Sequence, residues 1–181
     1  MIIGYTLYAA DNKSYFYKKT FCDKCLVCGG TILNDSKPYL VDLKRKKLDI
    51  SFTYDGKLIV SKVFRSFILE NNIKDVSFIP IKNQSEYFLF ESYKIIKFDI
   101  EKRGTKFINK CDECEEYYEI IGATPVFLKN NEEISQEGIF RTDQIFGTGI
   151  SKHPVYMVGL TTYEKIINQN FKGIDLAPIK L

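Results

Sequence analysis

The sequence predicts an α+β fold that is mostly antiparallel β, with two short helices in a repeated strand–helix–strand unit and a zinc-ribbon-like site of four cysteines. Three observations lead to it. Most apolar segments are short and alternate with the period of a strand, two segments have the wider spacing of a helix, and all five cysteines fall in two short stretches. Because 181 residues can bury a sizeable core, we expect a single domain over residues 1–181.

A β-hairpin followed by a helix is the clearest local pattern. Residues 48–54 alternate apolar and polar side chains, Asp55-Gly56 suits a type I′ turn, and residues 57–60 form the return strand. Ser61 is the predicted N-cap of the helix, which Asn71-Asn72 ends. The buried stripe of this helix is predicted to comprise Val63, Phe64, Phe67 and Ile68.

The end of the chain resembles this segment. When the sequence is shifted by 98 residues, residues 72–81 fall on residues 170–179, with Asn, Lys, Pro and Ile identical at matching places. The pattern Thr161-x-x-Glu164 is typical of a capping box and predicts a second helix. We therefore predict two copies of one strand–helix–strand unit; the alternative is a chance likeness between two helix-to-strand joints. The apolar residues of the second helix are Tyr163, Ile166 and Ile167.

The cysteines occur in two CxxC patterns. The first stretch reads Cys22-Asp-Lys-Cys25-Leu-Val-Cys28 and the second reads Cys111-Asp-Glu-Cys114. One CxxC turn presents two thiolates to a metal ion, and two such turns complete a tetrahedral S4 shell for Zn²⁺. The predicted ligands of a structural zinc ion are Cys25, Cys28, Cys111 and Cys114. Cys22 is then a spare thiol, although Cys22 and Cys25 also have the spacing of a pair.

The predicted site joins two distant parts of the chain. We expect a zinc-ribbon-like lobe formed by about residues 15–35 and 105–122, with the second CxxC at the tip of a hairpin. Unliganded reduced thiols are the alternative, and iron can replace zinc in an S4 site. A redox role is less favoured because neither motif follows a strand within a βαβ pattern. Disulfides are less favoured in a chain with five cysteines and no signal peptide.

Charge is uneven along the chain. The net charge is +3, but residues 1–47 contain nine Lys and Arg against four Asp. This favours, as an alternative function, a zinc-ribbon nucleic-acid-binding protein that uses residues 13–47 with Tyr15, Phe16 and Tyr17 as a stacking platform. The N-terminus has no basic region followed by an apolar run, and no stretch approaches the length of a membrane span, so we expect a cytoplasmic protein without membrane contact.

No pattern in the chain indicates catalysis, and we expect a protein that is not an enzyme. His153 is the one histidine, and Gly147-Thr-Gly149 lacks the rest of a dinucleotide- or phosphate-binding motif. A cluster of carboxylates surrounds the second CxxC. This acidic patch is either a solvated face or a docking surface for a basic partner, and it comprises Asp112, Glu113, Glu115, Glu116 and Glu119.

The chain resembles the double-CxxCG immunity proteins of bacterial polymorphic toxin systems. The resemblance rests on the two CxxC motifs at wide separation, on the run Tyr54–Ser61, on Phe78-Ile-Pro-Ile81 and on the closing run Phe171–Pro178. It implies a small cytoplasmic protein that binds and neutralises a cognate toxin protein, with nucleic acid the less favoured partner. One departure is that Glu115 stands where the second motif of the family has glycine.

Overall fold

The structure, a computed structural model of the chain, describes residues 1–16, 23–28, 31–32, 40–130 and 132–180. The predicted mixed α+β class, rich in strands, is confirmed in this part of the chain. Cys22, Tyr17 and the glycine after the first CxxC lie outside it.

Most regular elements are strands, with three α-helices between them. Along the chain they are β1 (Ile2–Asp11), β2 (Asp23–Lys24), β3 (Thr31–Ile32), β4 (Ile50–Phe52), β5 (Leu58–Ser61), α1 (Lys62–Glu70), β6 (Val76–Ile81), β7 (Gln84–Ser92), β8 (Lys94–Ile96), α2 (Ile100–Arg103), β9 (Lys106–Lys110), β10 (Tyr117–Ile121), β11 (Ile139–Thr148), β12 (His153–Val158), α3 (Leu160–Ile167) and β13 (Ile174–Lys180).

The described residues contain three α-helices, where the sequence predicted two, and a 3₁₀ turn at Gly149–Ser151. The additional helix is α2, a single turn that local capping explains. The Asp99 side chain accepts a hydrogen bond from the Lys102 N–H at 2.9 Å. Gly104 ends the turn with a left-handed φ of 68°, a conformation that glycine adopts without steric cost.

Strand β1 lies at the centre of the main sheet. Along Ile2–Ala9 it pairs antiparallel with β13, and on its other edge Tyr5–Leu7 pairs antiparallel with β12. Further along, Ala10 and Asp11 pair in parallel with β4. The first strand of the chain therefore joins segments from the end and from the first third of the sequence.

The sheet has two halves that β1 and β4 connect. One half has the order β6-β7-β5-β4, and the other contains β13, β1, β12 and β11. In each half, a helix links two strands that run in the same direction, and a third, antiparallel strand lies between them. Helix α1 links β5 to β6, with β7 between them, and α3 links β12 to β13, with β1 between them. The hairpin β9–β10 extends the second half beyond β11.

Helix α1 begins and ends where the sequence predicts. Ser61 is the N-cap, and its hydroxyl accepts the Phe64 N–H at 3.1 Å, while Asn71 is the C-cap. Phe64 and Ile68 are fully buried, but Val63 is 63% exposed. The buried stripe is therefore narrower than predicted, because the helix lies on the sheet along one face only.

The N-cap of helix α3 lies two residues earlier than the Thr161 that the capping-box pattern predicts, so that prediction is wrong. Its N-cap is Gly159, which has no side chain that could accept a capping hydrogen bond. Thr161 lies inside the helix, and its N–H donates to the Gln136 carbonyl at 3.0 Å. A Cβ at Gly159 would collide with the Ser135 carbonyl oxygen. Close contact with this neighbouring loop, rather than side-chain capping, fixes the helix start.

The turn between β4 and β5 also differs from the prediction. The hairpin is present, but only Gly56 has a positive φ, of 71°, whereas a type I′ turn needs two such residues. The turn closes with the Thr53 N–H donating to the Lys57 carbonyl at 3.0 Å. The Asp55 carboxylate accepts the Phe16 N–H at 2.8 Å, so a distant segment holds the turn in its observed shape.

We predict that Ile166→Ala lowers the free energy of unfolding by about 2–5 kcal/mol, because this side chain is 1% exposed and its loss leaves a cavity between α3 and the sheet. Ile167→Ala, at the adjacent position where the side chain is 48% exposed, should change it by less than about 0.5 kcal/mol. Denaturant unfolding of both variants measures the difference, and equal effects would contradict the observed face of α3.

Candidate metal centre

Two hairpins hold the two CxxC motifs. The first knuckle, Cys25–Cys28, lies between β2 and β3, where Lys24 pairs with Thr31. The second knuckle, Cys111–Cys114, lies between β9 and β10, and the Cys111 N–H closes its loop by donating to the Glu116 carbonyl at 2.9 Å. The prediction that the second CxxC lies at a hairpin tip is confirmed.

The four predicted sulfurs come together. The Sγ atoms of Cys25, Cys28, Cys111 and Cys114 all lie within 4.8 Å of one another. Cys25 Sγ is 3.7 Å from Cys111 Sγ, and Cys28 Sγ is 3.6 Å from Cys114 Sγ. A tetrahedron with metal–sulfur bonds of about 2.3 Å has edges of about 3.8 Å. Both of these separations match this edge, so the cluster could hold a metal ion.

The surroundings of the sulfurs are asymmetric. Cys25 and Cys111 are buried, while Cys28 and Cys114 are partly exposed. The backbone N–H groups of Cys114 and Glu113 donate to the Cys111 sulfur and lower the pKa of that thiol to about 7. The Glu116 N–H lowers the pKa of the Cys114 thiol, but burial and the neighbouring sulfurs outweigh it and raise that pKa to about 12. Because thiols bind a metal as thiolates, metal binding to this cluster would release protons.

Glu115 occupies a strained backbone position directly after the second knuckle. Its φ is +58°, in the left-handed region that costs an ordinary residue about 1–2 kcal/mol and glycine very little. The turn therefore has the backbone shape that glycine suits best, although a glutamate is present.

The predicted acidic patch lies around the second knuckle, but two of its five carboxylates have partners in the protein. Glu116 forms an ion pair with Lys152 at 3.4 Å, and Glu119 accepts a hydrogen bond from the Thr148 hydroxyl at 2.8 Å. Asp112, Glu113 and Glu115 are exposed and form no salt bridge with the described residues. The outward-facing charge is therefore concentrated on these three side chains.

The tip of the first knuckle is apolar and exposed, a feature that sequence reasoning missed. Leu26 and Val27 are 101% and 72% exposed, although both are aliphatic. Because the sulfurs of the two knuckles are in contact, this apolar tip lies on the same lobe as the acidic patch. The sequence signal for this exposed tip is the aliphatic pair between the two cysteines of a CxxC motif, because a turn this short cannot bury two aliphatic side chains.

His153 is not part of the cysteine cluster. Its ring stacks on Phe52 with centroids 4.2 Å apart, and its Nδ1 lies 2.9 Å from the Pro154 carbonyl oxygen. Burial lowers the pKa of the imidazole. Among the described residues, the four cysteines are the one group of three or more potential metal ligands within reach of a single ion.

The aromatic platform proposed for nucleic acid is largely absent from the described surface. Phe16 is 1% exposed and packs in a core cluster with Val41 and Leu43, so its predicted exposure is wrong. Tyr15 is 46% exposed and lies against Tyr54, with ring centroids 5.1 Å apart. The third residue of the platform, Tyr17, lies outside the described residues.

The chain matches no protein-family model, and no curated protein matches it either. Within the described residues, none of the helices combines the length and the apolar character that crossing a bilayer requires.

We predict that Cys28→Ser abolishes the binding of one metal ion per chain, whereas Cys22→Ser leaves it intact, because Cys28 Sγ belongs to the cluster. Metal content and the spectrum of the Co²⁺-substituted protein measure both the stoichiometry and the number of thiolate ligands. Metal loss in Cys22→Ser with retention in Cys28→Ser would assign the pair to Cys22 and Cys25 instead.

Glu115→Gly should raise the free energy of unfolding of the metal-loaded protein by about 0.5–1 kcal/mol, because glycine relieves the left-handed strain but adds freedom to the unfolded chain. Glu113→Gly is the matched control: this exposed residue of the same loop has no positive φ, so glycine should destabilise it there. Thermal unfolding at saturating metal compares the two. A destabilised Glu115→Gly would mean that the carboxylate makes a contact that outweighs the strain.

Proposed function

We propose that this chain is an immunity protein that binds and neutralises a cognate bacterial toxin, with a structural zinc site that shapes the binding lobe. The observation that carries the proposal is the lobe itself. An exposed apolar tip, Leu26-Val27, and exposed carboxylates at Asp112 and Glu113 are held on two loops whose cysteine sulfurs are in contact. The resemblance to the double-CxxCG immunity proteins supplies the type of partner.

Zinc is the metal that fits this donor set best. Four thiolates suit Zn²⁺, and a closed S4 shell leaves no position for water or substrate, so the ion is structural. Iron in the same shell is the alternative. With the shell closed, the site contributes to function by holding two loops together.

The composition of the lobe favours a basic protein partner. Aliphatic side chains provide apolar area at the centre of an interface, and surrounding carboxylates attract and orient a positively charged surface. Neutralisation is then by occlusion: the immunity protein covers the surface that the toxin needs for its own activity.

Nucleic-acid binding is the second candidate, favoured by the basic N-terminal segment. The burial of Phe16 removes one ring from the platform that this function needs. The exposed negative charge at Asp112, Glu113 and Glu115 would also repel phosphates. We therefore favour the protein partner.

We further propose that the two strand–helix–strand segments are copies of one unit. Helix α1 shifted by 98 residues covers α3, and the N-caps Ser61 and Gly159 have nearly the same backbone angles. Asn72 and Asn170 both have left-handed φ values, of 54° and 53°. The strand pairing follows the same shift. In the first half, Leu89 of the central strand pairs with Ile59 and Ile79; in the second half, Thr6 pairs with Met157 and Ala177, which are the positions 98 residues after Ile59 and Ile79.

The functional test is rescue of a toxic neighbour. The C-terminal domain encoded by the gene immediately upstream is expressed with and without this protein, and cell survival is scored. We expect toxicity alone and survival in combination. A domain that is harmless alone, or toxic despite this protein, would contradict the immunity function, and titration with DNA and RNA at two salt concentrations would then test the second candidate.

The double variant Asp112→Lys/Glu113→Lys should weaken binding to the toxin domain by about tenfold or more, because it reverses the charge that surrounds the apolar centre of the proposed interface. These positions are chosen because Glu116 and Glu119 have partners within the protein, so their replacement would also disturb the fold. The matched control is Glu70→Lys/Glu164→Lys, at exposed positions on α1 and α3. Rescue that persists with unchanged affinity in the first variant would place the interface elsewhere while leaving the immunity function intact.

A further inference from the structure

A cavity of about 360 Å³ lies where the two halves of the sheet meet. Its walls come from β5 and β7 on one side and from β11 and β12 on the other. Its volume falls at the lower end of the roughly 300–1,000 Å³ that small-molecule sites occupy. Junctions between structural halves are common places for such sites, and neither the metal lobe nor the proposed toxin interface uses this one.

Tyr156 presents an unsatisfied polar group at this cavity. The residue is 6% exposed, and its ring lies near Phe52 and Phe90, with centroids 6.1 and 6.0 Å away. Its hydroxyl makes no hydrogen bond with the described residues, and its oxygen is accessible from the cavity, since the buried side-chain atoms without a partner belong to Ser77 and Thr105. Burial raises the pKa of the phenol, so the group stays protonated and available as a donor. Because this donor is accessible from the cavity and unpaired among the described residues, an acceptor group of a ligand in the cavity can bind to it.

Arg141 lies directly across from Tyr156 in the pairing of β11 with β12. Cross-strand partners project to the same face of a sheet, and both residues line the cavity. The Arg141 Nε donates to the Ser92 carbonyl at 2.9 Å and Nη1 to the Thr142 carbonyl at 3.4 Å. These bonds hold the guanidinium in place, yet it forms no salt bridge with a described carboxylate. The protein therefore positions a half-buried positive charge and leaves its Nη2 edge available.

The remaining lining adds positive charge and apolar walls. Lys57 and Lys152 line the cavity together with one carboxylate, Glu91, so with Arg141 the cations outnumber the anions. Lys152 is already paired with Glu116 at 3.4 Å. The aliphatic and ring surfaces that complete the walls include Leu58, Ile145 and Pro154.

We propose that this cavity binds a small organic anion, whose carboxylate or phosphate group is held by the Arg141 guanidinium and the Tyr156 hydroxyl. The planar guanidinium matches the oxygen geometry of either group, and the phenol supplies one further donor to the same oxyanion. The apolar body of the ligand packs against Leu58, Ile145 and Pro154. A purely inorganic anion would leave these apolar walls uncovered, so an aromatic or branched carbon skeleton fits better.

The test is titration of the metal-loaded, full-length protein with three probes at matched ionic strength: benzoate, phenyl phosphate and inorganic phosphate. Binding is measured by calorimetry and by backbone amide NMR shifts, up to about 10 mM probe. We expect benzoate or phenyl phosphate to bind and to shift the amides of Leu58, Ser92 and Ile145. Which of the two binds distinguishes a carboxylate from a phosphate ligand.

Two variants test the proposed donors. Tyr156→Phe and Arg141→Lys should each weaken binding by about tenfold or more, the loss of a hydrogen bond to a charged group. The matched controls Tyr8→Phe and Arg65→Lys, whose residues do not line the cavity, should bind as the unchanged protein does.

Four outcomes would overturn the proposal. They are no binding of any probe, binding of inorganic phosphate alone, amide shifts confined to another surface, and unchanged affinity in Tyr156→Phe. The amide shifts are read on the unchanged protein, so they decide the location even if a variant fails to fold. The experiment requires no toxin, and its result is independent of the rescue assay.

Discussion

The structure depends on strand β1 being paired along both edges. One edge holds β13 and then β4, and the other holds β12, so this strand binds segments more than a hundred residues away as well as a nearer one. Leu7, 3% exposed, packs from this strand into the main core. A slip of one residue would turn its buried side chains to the opposite face, so the register of the whole sheet is set here. The hairpin of the second knuckle pairs with β11, and the cavity is lined by β11 and β12. Both therefore depend on the pairing of β12 with β1.

Local features were predictable because their causes are local. Ser61 caps α1 through its own side chain, and Phe64 and Ile68 repeat at the helix period. The failures occur where a distant segment decides the outcome. Gly159 starts α3 because a neighbouring loop leaves no room for a Cβ, so the capping pattern at Thr161 has no effect. Phe16 reads as a surface aromatic in a polar stretch, but packing with residues from other parts of the chain buries it.

The two candidate sites differ in how much the sequence reveals of them. Cysteines at CxxC spacing indicate their own chemistry, so the four ligands of the metal cluster could be named without a fold. Arg141 and Tyr156 have no such signature. Their juxtaposition requires the antiparallel register of β11 and β12, which shifts just past Arg141, and no pattern of apolar residues specifies that irregularity. A tyrosine hydroxyl that is left unpaired at a cavity can be recognised only once the surrounding hydrogen bonds are known.

The number of residues between the two knuckles has little influence on how much a metal bound to both would stabilise the fold. Closing a loop of 82 residues costs only about 1.3 kcal/mol more than closing one of about 18, because loop entropy grows with the logarithm of length. In addition, the main sheet already positions β9 and β10 through their pairing with β11. Among the described residues, the hairpin β2–β3 has two residue pairs and no pairing with the main sheet, which is too little for an independent strand pair. A metal held by the four sulfurs would therefore act mainly on the first knuckle and would fix Leu26 and Val27 beside the acidic patch. Metal binding would consequently control the shape of the lobe, whereas β-pairing shapes the cavity in the sheet.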